Sequence, residues 1–520
     1  MYRIFLAAIC LVPINSALAA PVVQTAAGKV RGEAGETLVF RGIPYAAPPV
    51  GDRRWRPPQP VAPWQGVRDA TTFSASCPQP DRPDHRLPKV SNTDEDCLYL
   101  NVWTPGLAPA KRPVMVWIHG GGMTIGSGSS RIYDGTNLAE RGVVLVTLNY
   151  RLGVLGFTAH PELSAESPDK VSGNYGILDQ IAALRWVRQN IAAFGGDPDN
   201  VTIFGESAGA VSVGCLLTTP ASKGLFHRAI LESGTPIAIA CPLKGKEGEE
   251  QGLAIARRFQ ATSIADLRAI PAEKLVSGCP AAIGPTKDRK GKYKFTPIVD
   301  GSVFPDAPMR LFAAGKFHHV PILLGTNRDE MTLFMGGGDR GRPKRKAGFE
   351  FLVKKMFRGN PNEVLKAFPC KDSADAFPTF REMMTVGCFT APCRLLARLA
   401  ADHGAPVYLY HFSRVAPGTA RTKLGATHGI EIPYVFGTFK NSFGDATDRA
   451  LSAAMARYWT SFADTGVPEA AGQPAWPRYE TKTDRHLELG DRIKPGQHLR
   501  QAQCDALEPG TRKVLGLPAD

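Results

Sequence analysis

Residues Val201 to Gly209 read VTIFGESAG, a serine with a glycine two positions away on either side, directly after a β-branched and aromatic run. Residues of these types in this order could carry out nucleophilic acyl transfer. A strand feeding a strained turn into a helix exposes the hydroxyl of Ser207, while Gly205 and Gly209 let neighbouring backbone approach. The pattern alone is weak, because 53 glycines in 520 residues would supply on the order of a quarter of a GxSxG match by chance. Its context is stronger. Ala208 to Leu217 (AGAVSVGCLL) is small and apolar, as a buried helix after such a turn must be.

A serine hydroxyl needs a base, an acid that orients the base, and donors for the oxyanion. His119-Gly120-Gly121-Gly122 follows the strand-like run Pro113 to Ile118, and the missing side chains let backbone N–H groups reach a developing alkoxide. Glu330 in TNRDE follows the run VPILLG, and His428 in ATHG follows YLYHF. Singly, a loop glutamate is ordinarily solvated and a loop histidine ordinarily structural. Jointly, Ser207, Glu330 and His428 stand at strand ends in the α/β-hydrolase order of nucleophile, acid and base.

Strand-like and helix-like runs alternate where these residues must be held. Val143 to Asn149 is apolar enough to be buried on both faces, and Ile177, Ile181, Leu184, Val187, Ile191 and Phe194 recur at helical spacing before the serine strand. Ala229 to Leu231, Val320 to Leu324 and Val407 to Tyr410 predict later strands, and Ala453 to Phe462 a late helix. Such alternation predicts an α/β fold: a mostly parallel central sheet, helices on both faces, and reactive groups outside the carboxyl ends of the strands. The Pro/Gly-rich stretches Ala46 to Pro63 and Gly336 to Pro343 are expected to be surface loops. The chain is therefore expected to be one catalytic domain with long loop insertions.

Met1 to Ala20 combine Arg3, an apolar stretch from Ile4 to Ile14 and Ala17-Leu18-Ala19. This predicts a secretory signal peptide over residues 1–19, a catalytic domain over 20–520, and a secreted or periplasmic bacterial protein without stable membrane insertion. Cys215 lies in the apolar helix and is expected to stay a buried thiol. Eight further mature cysteines, Cys77, Cys97, Cys241, Cys279, Cys370, Cys388, Cys393 and Cys504, suit bridges in an oxidising compartment. Sequence alone leaves their pairing open. No CxxC pairs or HExxH spacing suggest a metal site. The net charge of +14 comes from scattered residues, apart from Lys344-Arg345-Lys346 and Lys354-Lys355, which are expected in a solvated loop. Nucleic acid is not an expected partner.

Together with FRGIPYAAPPVGDRRW (Phe40 to Trp55), EDCLYLNVW (Glu95 to Trp103), NYRLGVLGF (Asn149 to Phe157) and GNYGILDQ (Gly173 to Gln180), these motifs make the chain resemble the type-B carboxylesterase family over nearly its whole mature length. The resemblance implies an α/β-hydrolase fold with Ser207 as nucleophile, Glu330 rather than Asp329 as acid, and His428 as base. It implies an oxyanion hole from the N–H groups of Gly121, Gly122 and Ala208. It also implies structural ion pairs Arg54 with Glu95 and Arg151 with Asp179, a first disulfide Cys77 to Cys97, and a late one from Cys504, for which Cys393 is the matched partner. Cys370 with Cys388 and Cys241 with Cys279 complete the expected set. Two departures stand out. The Cys77 to Cys97 loop holds no aromatic residue where cholinesterases carry a choline-binding tryptophan, with Leu87 near that point, so choline esters are not expected substrates. The stretch Phe259 to Leu267 lacks the family's second loop disulfide.

The expectation is a cofactor-free serine esterase acting on small-molecule carboxylic esters through an acyl-enzyme. Alternatives are a specialised hydrolase of aromatic, polyester or polyanionic esters, the last motivated by the positive charge, and a non-catalytic cell-surface binding module on the same fold.

Overall fold

Side chains along an extended strand alternate between its faces, and in the run ending at Ile118 both faces are apolar. Val114, Val116 and Ile118 enter one buried cluster while Met115 and Trp117 enter another. A strand buried on both sides needs cover on both sides, which helices supply.

The computed structural model describes residues 19–81, 90, 92–107, 110–236, 243–281, 292–335, 342–417, 424–439 and 444–518. Ten strands form the central sheet: β1 (Leu38–Pro44), β2 (Tyr99–Thr104), β3 (Arg112–Ile118), β4 (Val144–Leu148), β5 (Gly196–Glu206), β6 (Arg228–Glu232), β7 (Ile322–Asn327), β8 (Val407–Phe412), β9 (Arg485–Leu489) and β10 (Ile493–Gln497). Their order is β10-β9-β8-β7-β6-β5-β3-β4-β2-β1. Neighbours from β4 across to β9 run parallel, and β1, β2 and β10 add antiparallel pairings at the two edges.

Six helices matter for the site: α1 (Tyr175–Asn190), α2 (Ala208–Leu216), α3 (Ala376–Thr385), α4 (Ala391–Asp402), α5 (Ala446–Thr465) and α6 (Gln501–Leu515). Apolar residues of α1, α2 and α4 join the cluster on one face of the sheet, and Leu451, Met455 and Trp459 of α5 join the other. The apolar series that begins at Ile177 passes through α1 into a 3-10 turn, Ile191–Phe194, where Gly195 at φ 82° stops it. Arg151 and Asp179 meet through two charge-assisted bonds of 2.7 and 2.8 Å, both side chains almost wholly buried. Arg54 bonds Glu95 at 2.5 and 2.6 Å and donates to the carbonyl oxygen of Ile270 at 2.6 Å.

Several expectations need correction. The edge hairpin of β9 and β10 was not legible, since Pro495 and Gly496 interrupt the strand pattern; proline is tolerated there because the strand lies at an edge. Lys346, Lys354 and Lys355 belong to a helix, Lys346–Met356, and not to a loop. Phe349 and Val353 bury one side of it, which leaves the charges outside.

The described cysteines, Cys77, Cys97, Cys215, Cys279, Cys370, Cys388, Cys393 and Cys504, are all thiols, so none of the expected bridges is formed among them. Cys77 and Cys97 lie beside each other as thiols, and Cys77 Sγ accepts the Leu152 N–H at 3.3 Å. Cys504 is close enough to Cys393 to help raise its pKa, although burial does most of that. Cys370 donates to the Asp372 carbonyl oxygen at 3.1 Å instead of bonding Cys388. Cys241, and with it the Cys241 to Cys279 pairing, lies outside the described residues, as do residues 1–18 and Leu87. Among the described residues no helix is long and apolar enough to cross a membrane.

Candidate active site

The end of β5 and the start of α2 meet at Ser207, whose φ of 56° and ψ of −121° lie outside the regions that residues with a Cβ favour. Such backbone costs about 1–3 kcal/mol and persists only when its surroundings enforce it. Here the Ser207 N–H donates to the Glu232 carbonyl oxygen at 2.9 Å, and the Val211 N–H donates to the Ser207 carbonyl oxygen at 3.0 Å. A Cβ on Gly209 would stand 1.9 Å from the Ile118 carbonyl oxygen, so only glycine lets α2 pack on the end of β3. The serine is left half-buried at the carboxyl end of the sheet.

Glu330 caps a one-turn helix, Met331–Phe334, beyond β7, and is buried. Its Oε1 accepts the Asn327 N–H at 2.7 Å, and its Oε2 accepts from His428 Nδ1 at 2.6 Å. That bond fixes the imidazole and leaves Nε2 as the available nitrogen. Asp329 is occupied elsewhere, accepting the Ala426 N–H at 2.8 Å and pairing with Arg328. The imidazole also touches two rings, Phe334 at 4.9 Å and Phe389 at 5.0 Å between centroids. Phe389 sits in a π-helical turn, Val386–Thr390, between α3 and α4. Single π-helical turns inside α-helices are frequent at functional sites.

The glycine loop after β3 lies against the serine turn: a Cβ on Gly120 would stand 3.1 Å from Ser207 Cβ. Gly121 and Gly122 have φ of 106° and 63°, and the Gly121 carbonyl oxygen accepts the N–H groups of Thr124 and Ile125 at 3.2 and 3.1 Å. Ala208 opens α2, where the first amides have no acceptor within the helix. Burial holds the His119 imidazole at a pKa of about 4, hence neutral, and it stacks on Tyr150 at 4.5 Å. Tyr150 Oη donates to the His119 carbonyl oxygen at 2.9 Å, pinning the loop from behind.

Three buried carboxylates were missed in the sequence. Glu206 Oε1 lies 3.1 Å from His428 Nε2, though neither atom completes a hydrogen bond there. Glu431 Oε1 accepts from Ser233 Oγ at 3.1 Å and its other oxygen accepts from the Asn327 amide; Glu232 Oε1 accepts from Trp459 Nε1 at 2.7 Å. Burial pushes Glu206 up to about 8, Glu431 to about 7, and Glu232 well above the carboxylate range. For His428 burial works against charge, yet Glu206 and Glu330 outweigh it and raise the imidazole to about 9. The available signal was adjacency: Glu206 precedes Ser207, Glu431 follows His428 by three residues, and Glu232 ends the strand beside the turn. No group of three or more His, Cys, Asp or Glu side chains is placed to hold a metal ion among the described residues.

A family model described as the carboxylesterase family matches residues 19–507. The chain belongs to that family. It is 39% identical over 498 residues to the fumonisin B1 esterase of Sphingopyxis macrogoltabida, covering 94% of this chain and 89% of the relative. It is 37% identical to the para-nitrobenzyl esterase of Bacillus subtilis strain 168, covering 91% and 95% of the two chains. The crystal structure of Geobacillus stearothermophilus carboxylesterase EST55 at pH 6.2 superposes with a TM-score of 0.79 at 36% identity, over 94% of this chain and 99% of that one. The protein is thus a serine hydrolase of carboxylic esters with the α/β-hydrolase fold. The similarity to named esterases over nine-tenths of the chain sets the non-catalytic binding module aside.

Proposed function

We propose that Ser207, His428 and Glu330 carry out this hydrolysis as nucleophile, base and orienting acid, with the Gly121, Gly122 and Ala208 N–H groups binding the oxyanion. The 2.6 Å bond between Glu330 Oε2 and His428 Nδ1 is the observation that carries the reading. His428 Nε2 takes the hydroxyl proton as Ser207 Oγ attacks the ester carbonyl, and Glu330 stabilises the imidazolium. The imidazolium then gives that proton to the leaving alkoxide, freeing the alcohol and the acyl-enzyme. Water attacks the acyl carbonyl by the same route, releasing the acid and restoring Ser207.

Phe334, 48% exposed, and Phe389 give the base an aromatic wall, which favours esters with an apolar or aromatic part beside the scissile bond. Esters of polyanionic acids are the second reading, favoured by the net charge of +14. A panel of para-nitrobenzyl esters, simple aliphatic esters, polyesters, fumonisin B1 and citrate esters separates them. Highest kcat/KM on aromatic esters supports the first reading; highest on the anionic esters, lost as salt is raised, supports the second.

Export through a signal peptide over residues 1–19 belongs to the same proposal, with residues 20–520 as the mature catalytic domain. In an oxidising compartment the adjacent Cys77 and Cys97 thiols close first. N-terminal sequencing and non-reducing peptide mapping of protein recovered from periplasm and medium test both points.

A further inference from the structure

Pro392 has no N–H to give to the carbonyl four residues back, that of Cys388, and its ring would collide with that carbonyl. A regular α-helix therefore does not run through this stretch. Between α3 and α4 the chain widens into one π-helical turn, Val386–Thr390, and the Ala391 N–H reaches back five residues to the Val386 carbonyl oxygen. One residue of α-helix is about 100° of rotation, so the added residue decides where the side chains of the turn point. What points at the catalytic base is Phe389. Its ring lies 5.0 Å from the His428 imidazole and that of Phe334 lies 4.9 Å from it, while the two phenyl rings stand 6.2 Å apart and within 15° of parallel. The one-turn helix that carries Phe334 is tied to the foot of the same turn, since the Met331 N–H donates to Thr385 Oγ1 at 3.2 Å.

The imidazole needs such restraint. Glu330 holds Nδ1, whereas Nε2 has no hydrogen-bond partner among the described residues and lies 3.1 Å from Glu206 Oε1. The charged groups that face the ring are Glu206 at the end of β5, Glu330 beyond β7, and Glu431. Once the imidazolium forms, its Nε2–H is a donor beside a carboxylate, and a charge-assisted bond there would be strong. A proton held by Glu206 does not reach the leaving alkoxide. A single hydrogen bond at Nδ1 is a pivot and leaves the ring free to swing about it. Two phenyl rings packed against the imidazole remove that freedom, because it cannot turn without driving an edge into one of them.

We propose that Phe389, aimed by the π-helical turn and braced by Phe334, is a positioning residue that keeps the His428 imidazole directed at Ser207 and off Glu206. This role rests on the reading of His428 as the base, and it is distinct from any contact that the two rings make with substrate.

A double-mutant cycle between Phe389→Leu and Glu206→Gln tests this, with an acetate ester too short to lean on the aromatic wall and with chemistry limiting. Phe389→Leu is expected to lower kcat about tenfold in the parent, and by less than about twofold in the Glu206→Gln background, where no carboxylate competes for the imidazolium. A packing role alone would give the same loss in both backgrounds, and that result overturns the proposal, as does a kcat of Phe389→Leu equal to that of the parent. His428→Ala, measured alongside, separates this role from the assignment of the base. Turnover by His428→Ala near that of the parent overturns both, whereas an inactive His428→Ala with equal losses in the cycle overturns the positioning role alone. Should Phe389→Leu fail to fold, Phe334→Leu, at a position 48% exposed, decides in the same cycle.

Discussion

Glu206 Oε1 stands 3.1 Å from His428 Nε2, the nitrogen that takes the Ser207 proton in the proposed mechanism. An anion there stabilises imidazolium, and imidazolium cannot act as base. Burial raises Glu206 to about 8, so as pH rises through that value its carboxyl becomes an anion that helps hold His428 protonated.

The sign follows directly. With His428 raised to about 9 by Glu206 and Glu330, kcat/KM should climb with pH along a limb above the ordinary imidazole value. Glu206→Gln removes one of the two anions and should move that limb down by about one pH unit or more. Profiles measured with chemistry limiting check this; coincident limbs would remove Glu206 from the account.

Glu330→Gln keeps the shape but loses the charge behind Nδ1. It should lower kcat by roughly 10²- to 10⁴-fold with KM changed far less. Single-turnover kinetics on an activated ester provide the measurement, and turnover near that of the parent would move the acid to another residue.

Gly121→Ala would place a Cβ 2.1 Å from the Ile125 carbonyl oxygen at a φ of 106°, and the loop must shift to accept it. Loss of one oxyanion donor lowers kcat by about 10²- to 10³-fold, which is the expected fall. At Gly122 the nearest atom to a Cβ is Thr124 Oγ1 at 3.8 Å, so Gly122→Ala should cost less, through its φ of 63° alone. Equal losses at the two positions would contradict the steric argument.

Arg151→Met leaves the Asp179 carboxylate buried without its two bonds. Breaking such a pair costs about 3–5 kcal/mol, so the urea midpoint should drop sharply while the folded fraction keeps its specific activity. An unchanged midpoint would mean that water or another donor replaces the arginine.

Sequence patterns revealed the parts of the fold that repeat a physical rule. The strands through Val116, Val146, Ile203, Leu231, Leu324 and Leu409 announce themselves because parallel strands are apolar on both faces, and Ser207, Glu330 and His428 because they follow such strands. What failed depended on contacts between distant segments. Glu232 looks like a solvated residue until Trp459, 227 positions away, is seen to bond it. Phe389 depends on a π-helical turn with no periodicity signal of its own, and β10 hides behind Pro495.

The central claim is that Ser207 forms the covalent acyl intermediate. Peptide mapping by mass spectrometry after reaction with a fluorophosphonate tests it most directly, run on the parent and on Ser207→Ala. The account predicts one adduct per parent chain, located on Ser207 and accompanied by complete loss of esterase activity, and neither adduct nor turnover in Ser207→Ala. An adduct on another residue, or hydrolysis of esters by Ser207→Ala at a rate near that of the parent, would contradict it.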